Sequence, residues 1–261
     1  MGIVNVTPDS FSDGGHFASV QAAIAHGLAL AQAGADILDI GGESTRPGAA
    51  LVSVEAEKRR VIPVIEALAR EGLVVSIDTR KPQVMHAALA AGATMVNDVM
   101  ALRAPGALEA VAASEAAVCL MHMQGEPQTM QQTPHYADVV GEVGQFLRER
   151  VTVCAQAGIP PSRIVIDPGF GFGKSLAHNL ALLKNLSLLA AGEVPVMVGM
   201  SRKSMLGTLT GRAVAEREFA GIAAHLRAVA QGARLLRVHN VAAMRDALAV
   251  WNAVEETEDG T

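Results

Sequence analysis

Met1-Gly2-Ile3-Val4-Asn5-Val6-Thr7-Pro8-Asp9-Ser10-Phe11-Ser12-Asp13-Gly14-Gly15 opens the chain and contains the unit from which the rest is built. A short apolar run, Ile3–Val6, carries a polar residue, Asn5. A loop of polar residues, Pro and Gly follows, then an Ala/Gly-rich helical stretch. The same succession recurs along the whole sequence. The later runs are Ile37–Ile40, Leu73–Ile77, Thr94–Val96, Ala117–Met121, Ile164–Ile166, Val196–Gly199 and Leu235–Val238. The polar residues at the ends of the eight runs are Asn5, Asp39, Asp78, Asn97, His122, Asp167, Ser201 and His239. Continuously apolar runs of this length suit strands buried on both faces of a parallel sheet. Eight strand–helix repeats in 261 residues predict an α/β fold, a (β/α)8 TIM barrel, with one domain over residues 1–261. That fold collects its chemistry at the C-terminal ends of the strands.

The intervening segments read as helices. Val139, Val140, Val143, Phe146, Leu147 and Val151 recur at helical spacing and give one apolar stripe. Gly34, Gly92 and Gly158 stand where helices end, at the left-handed position that glycine suits. Three connections on the catalytic side are long: Thr7–Phe17, Gly42–Ser53 and Met123–His135. Long polar loops in a compact domain commonly carry function. The acidic tail Glu255–Thr261 is expected to fray.

Composition narrows the function classes. Half the residues are hydrophobic, but there are only one Trp, one Tyr and six Phe, so aliphatic residues, Met and Ala must fill the core. The net charge of -5 gives no reason to expect a nucleic-acid partner. Cys119 and Cys154 form no paired pattern and are expected to be buried, reduced thiols. The first apolar run stops at Thr7-Pro8-Asp9, unlike a signal peptide, and no run approaches the ~18 apolar residues of a membrane span. A cytoplasmic protein without membrane partners is the expectation.

Two groups stand out among the strand-end residues. Asp78, Asn97 and Asp167 could meet the edge of a flat polar heterocycle, the acids accepting from ring N–H groups and the amide both donating and accepting. Arg46, Lys203, Arg237 and His239 could bind an anion such as phosphate. A substrate with a heterocycle at one end and phosphate at the other would suit both. A single Asp or Asn at a strand end more often caps a helix or ties a loop, and Asp39 and Asp98 are read that way. His122 is balanced between a core histidine and a functional one. Asp167-Pro168-Gly169-Phe170-Gly171-Phe172-Gly173-Lys174 invites comparison with a phosphate-binding loop, but Pro168 stands where that motif needs Gly. Its glycines are read instead as tight turns presenting Phe170 and Phe172, which could wall a flat substrate, with core packing the alternative for one of them.

The blocks Asn5–Gly15, Asp39-Ile40-Gly41-Gly42-Glu43-Ser44-Thr45-Arg46-Pro47-Gly48, Ser76–Thr79 and Val96-Asn97-Asp98 resemble the dihydropteroate synthase family. So do Met121–Gly125, Asp167–Lys174, Ser201-Arg202-Lys203-Ser204 and Arg237-Val238-His239. The resemblance covers nearly the whole chain in order. It implies transfer of a dihydropterinylmethyl group from 6-hydroxymethyl-7,8-dihydropterin diphosphate to p-aminobenzoate, with Mg2+ as cofactor and a homodimer as the assembly. Residues matching Asp78, Asn97, Asp167 and Lys203 would hold the pterin. Those matching Asn5, Thr45, Arg46, Arg237 and His239 would hold the diphosphate, with Asn5 on Mg2+. Thr45, Pro47, Phe172, Lys203 and Ser204 would lie near p-aminobenzoate. The catalytic set implied is Asp78, Asp167, Lys203, Arg237 and His239. The sequence departs from the family in opening almost at the first strand, where members usually carry further residues that guard the barrel floor. It also has Asn240 where Asp is common, which predicts a looser hold on His239.

Three rivals were weighed. A pterin-binding methyltransferase barrel shares the Asp/Asn/Asp set but has no need of the Ser-Arg-Lys-Ser and Arg-x-His groups. A non-catalytic pterin-binding paralogue would lose loop or anion residues that are kept here. A sugar-phosphate barrel enzyme would want a catalytic Lys at mid-strand or a Glu base, and the strands offer no Lys.

Overall fold

The computed structural model of the protein describes residues 1–6, 15–44, 48, 50–125 and 129–257, with residues 15–18 described by their backbone alone. Eight strands form one parallel sheet in sequential order. They are β1 (Gly2–Asn5), β2 (Leu38–Gly41), β3 (Val75–Asp78), β4 (Met95–Asp98), β5 (Ala117–Met121), β6 (Ile164–Asp167), β7 (Val196–Val198) and β8 (Ala233–Leu236). Each run expected from the sequence forms its strand, with bounds that differ by at most two residues. The sheet curls until Gly2 bridges Val238, just beyond β8. The Ile3 N–H donates to the Val238 carbonyl at 3.0 Å, and the Val238 N–H donates to the Met1 carbonyl at 3.0 Å.

Helices cover one face. They are α1 (Gly15–Gln32), α2 (Val54–Arg70), α3 (Pro82–Ala90), α4 (Ala107–Ala112), α5 (Val139–Gln156), α6 (Leu176–Lys184), α7 (Ser187–Ala190), α8 (Ser204–Thr210), α9 (Glu218–Val229) and α10 (Val241–Glu255). Because α1 begins at Gly15, the last three residues of the expected Thr7–Phe17 loop are helical, and residues 7–14 lie outside the described part. The expected apolar stripe is seen in α5, which buries Val139, Val143 and Leu147. Gly34, Gly92 and Gly158 have φ of +94°, +108° and +91°, where a Cβ would be strained. No helix among the described residues is long and apolar enough to cross a membrane.

Side chains alternate across each strand, and this period of two sorts them. Val4, Ile40, Ile77, Val96, Leu120, Ile166 and Val198 pack outward against helix residues such as Val61, Ile65, Val84 and Leu147. The opposite parity forms a smaller inner cluster: Met95, Cys119, Val165 and Met197, with Met1, Ile37 and Leu235 against it. Moving two residues toward the C-terminal ends from Ile37, Met95, Val165 and Leu235 changes this inner surface from apolar to polar: Asp39, Asn97, Asp167 and Arg237. The fold thus builds an apolar floor with a polar layer above it. Both cysteines are free and buried, as expected.

Candidate functional site

The polar layer is hydrogen-bonded across the sheet. The Arg237 Nε donates to Asp39 Oδ2 at 2.6 Å, and its Nη2 donates to Asp78 Oδ2 at 2.7 Å. The Asn97 Nδ2 donates to the same Asp39 oxygen at 3.0 Å. Asp39 is fully buried, and its other oxygen has no partner among the described residues. Asp39 therefore fixes the Asn97 amide and one side of the Arg237 fork. Burial pushes Asp78 up to about 7; Arg237 opposes the rise, while Asp39, Glu57 and Asp98 add to it. Asn5 lies at the same rim: a Cβ at Gly41 would sit 3.7 Å from Asp78 Oδ2 and 3.9 Å from Asn5 Oδ1.

A second group stands beside it. Asp167 ends β6, and its Oδ1 accepts the Gly169 N–H at 2.7 Å. Burial raises its pKa, against the pull of that hydrogen bond and of Lys203 and Lys174. The Lys203 Nζ lies 4.0 Å from the centroid of the Phe172 ring, a cation–π contact. Burial pulls Lys203 down to about 8, with Asp167 holding it up. Lys203 is the N-cap residue of α8, and Ser204, the first residue of that helix, is exposed. At the end of β8, His239 Nδ1 is 2.9 Å from the Ser201 hydroxyl. Asn240 is turned away from His239. It caps α10, its Oδ1 accepting the Ala243 N–H at 3.1 Å, and its Nδ2 donates to Glu218.

The sequence-derived residues that the structure brings together are Asp78, Asn97 and Arg237 in one network, with Asp167, Phe172 and Lys203 in the other. Thr45, Arg46 and Pro47 lie outside the described residues. The two groups drawn from the sequence are not spatially separate, because Arg237, from the anion group, is paired with Asp78 from the heterocycle group. Phe170 is buried in the core, whereas the Phe172 ring lies against Lys203.

Asp39 is a correction. Expected as a local tie, it holds the centre of the network instead, whereas Asp98 is such a tie, accepting the N–H groups of Met100 at 2.8 Å and Leu102 at 2.7 Å. Strand parity separates the two. Asp39 shares the inner parity of Ile37, and Asp98 the outer parity of Val96. By the same rule His122, following inward-facing Met121, points away from the site. It packs on Phe146 with centroids 5.0 Å apart, and burial and Lys174 pull it down to about 3, leaving a neutral core imidazole.

A family model described as "Pterin binding enzyme" matches residues 1–239. Over 97% of its length the chain is 53% identical to the dihydropteroate synthase of Neisseria meningitidis serogroup B, covering 92% of that protein. The chain belongs to the dihydropteroate synthase family. A solved member from Xanthomonas albilineans, in complex with 4-aminobenzoic acid, superposes with a TM-score of 0.93 at 59% identity, over 99% of this chain and 93% of that one. Another structure from that organism, with 7,8-dihydropteroate, gives a TM-score of 0.91 at 56% identity, over 99% and 93% of the two chains.

Proposed function

We infer that the protein is a dihydropteroate synthase: it joins p-aminobenzoate to 6-hydroxymethyl-7,8-dihydropterin diphosphate, giving 7,8-dihydropteroate and diphosphate. The observation that carries this reading is the Asp39–Arg237–Asp78 chain, which sets a cation between strand-end acids in a chain of this family. Asp78, Asn97 and Asp167 offer acceptors and an oriented amide to the pterin edge, and Lys203 over Phe172 borders the same space. In the reaction the C–O bond to diphosphate breaks and its electron pair leaves with that group. Arg237, His239 and Arg46 stabilise the negative charge so formed. The positive charge left on the pterin side is delocalised into the ring, near Asp78 and Asp167. The p-aminobenzoate nitrogen, a weak nucleophile, then forms the C–N bond and loses its proton. Thr45, Pro47, Phe172, Lys203 and Ser204 would border that acceptor.

Mg2+ fits the donor chemistry. Among the described residues no group of three or more His, Cys, Asp or Glu side chains could hold a metal, but Mg2+ characteristically binds substrate phosphates and water with few protein ligands. The Asn5 amide oxygen at the β1 rim is such a hard ligand. When bound, the ion would neutralise the departing diphosphate.

We further propose a single-domain closed (β/α)8 barrel, a reading the β1–Val238 hydrogen bonds support, and a cytoplasmic homodimer. Exposed Leu188, Leu209, Phe219, Val250 and Val254 on α7 to α10 offer apolar surface for association. The deciding experiment is diphosphate release with the pterin diphosphate, Mg2+ and p-aminobenzoate, each omitted in turn. Release equally fast without p-aminobenzoate, or absent from the complete mixture, refutes the reading.

A further inference from the structure

The function just proposed does not use Lys174, yet this is among the most completely partnered side chains in the protein. It is 3% exposed. Its Nζ lies 3.0 Å from His122 Nδ1 and donates to the carbonyls of Gly169 at 3.0 Å, Phe172 at 2.9 Å and His122 at 3.3 Å. An ammonium has three hydrogens, and four protein acceptors compete for them. Nothing remains for a phosphate, so this is not an anion-binding lysine despite its Gly-Lys-Ser setting. The neutral His122 ring meets it with the Nδ1 lone pair.

What Lys174 grips is the segment that carries two site residues. Between Asp167 and Lys174 the backbone makes three left-handed turns, at Gly169, Gly171 and Gly173, with φ of +69°, +78° and +61°. The segment lacks the ladder of a helix or strand, and separate bonds hold it. The Gly169 N–H goes to Asp167, the Phe172 N–H to the Gly169 carbonyl at 3.0 Å, and the Gly171 N–H to Asn179 Oδ1 at 2.8 Å. The Tyr136 hydroxyl donates to the Gly173 carbonyl at 2.9 Å. Among the described residues, it is Lys174 that grips both Gly169 and Phe172 and ties them to His122 at the end of β5. The fit is close: a Cβ at Gly169 would come within 2.0 Å of the His122 carbonyl oxygen.

We infer that Lys174 is a positioning residue for the site, a buried clip that holds Asp167 and the Phe172 ring as one preformed unit before any ligand arrives. It acts through those two residues and touches no substrate. The consequence for turnover rests on the proposed reading of Asp167 and Phe172, whereas the preformed segment does not. A merely stabilising lysine would shift global unfolding and leave local order intact. A positioning lysine loosens this segment alone. Misplacing catalytic groups by about an ångström costs roughly 10²-fold in rate.

Hydrogen exchange on the ligand-free full chain tests the clip without reference to activity. The amides of Gly169, Gly171 and Phe172 should be protected in the wild type to a degree comparable with β6; rapid exchange there overturns the inference outright. In Lys174→Met, or Lys174→Gln if the first variant does not fold, protection should collapse over residues 167–174 and persist in β1 to β5. Uniform loss across the chain, or no change, overturns it. Steady-state kinetics then link the clip to the reaction. The variant's KM for p-aminobenzoate should rise and kcat should fall, while Tyr136→Phe, which leaves the clip in place, changes both less. Kinetics equal to wild type, despite lost local protection, would show that the site does not depend on the clip. An inactive wild type would instead count against the proposed function and leave the exchange result standing.

Discussion

Replacing Arg237 by Met should destabilise the protein by an amount that grows with pH. Arg237 makes two short ion pairs, at 2.6 Å to Asp39 and 2.7 Å to Asp78. Removing one partner of a buried pair costs ~3–5 kcal/mol, because a charge is left in a poor solvent. Asp39 is wholly buried, but the side chains of Arg237 and Asp78 are 21% and 18% exposed, so the lower end, ~3 kcal/mol, applies. For a chain of this size that is roughly 6–12 °C in Tm. Asp78 already sits at about 7 with Arg237 opposing the rise. Without Arg237 it climbs further. A carboxyl whose folded-state pKa exceeds its unfolded value, 3.8, binds more protons when folded, so stability falls as pH rises between those values. Below about 7 Asp78 is mostly protonated in both proteins, so the added deficit opens above that value. It grows by ~1.4 kcal/mol for each unit of further rise in the Asp78 pKa. Urea unfolding of wild type and variant at about pH 6 and about pH 8.5 measures it. An equal difference at the two pH values would show that Arg237 does not hold the charge of Asp78, and the electrostatic account of the site would fail.

Asp78→Asn and Asp167→Asn should each weaken binding of a pterin without diphosphate by ~1–3 kcal/mol, since an amide can set a donor against a ring N–H; unchanged calorimetric affinity in both would refute the heterocycle assignment. His239→Ala should lower turnover by ~10²-fold yet leave that pterin affinity intact, because its Nδ1 meets the Ser201 hydroxyl at 2.9 Å, at the end of β8. Arg237 variants, joined to Asp78, should lose both properties. The rate at low substrate should rise with pH through about 7 as Asp78 ionises and fall through about 8 as Lys203 loses its proton. Asp78→Asn should abolish the acidic limb of that profile, and its persistence would assign the limb to another group.

Much of the architecture was legible because parallel strands buried on both faces must be largely apolar, and the runs around Leu120 and Val165 are so throughout. Glycine past the end of a helix is equally local: the left-handed turns at Gly34, Gly92 and Gly158 depend on backbone sterics, which the residue type declares. Asp78, Asn97 and Asp167 could be nominated as a set because each ends an apolar run, and such ends share one rim in a barrel. Asp39 was nominated at the same rim but given a local role. A two-residue count along β2 would have turned it inward, whereas the same count along β4 turns Asp98 outward.

The sequence by itself determined the succession of eight strands and helices, the rim that holds the chemistry and, through long ordered motifs, the family. These rest on residue type and short spacing, which local sterics and hydrophobic burial read directly. Only the tertiary structure decided the partners. Arg237 meets Asp39 across 198 positions of chain and Asp78 across 159. Lys174 reaches back 52 positions to His122. Neither pairing leaves a trace in local spacing, because each arises where the curled sheet and its loops bring distant side chains into one low-dielectric space. There a charge must find whichever partner the fold places beside it.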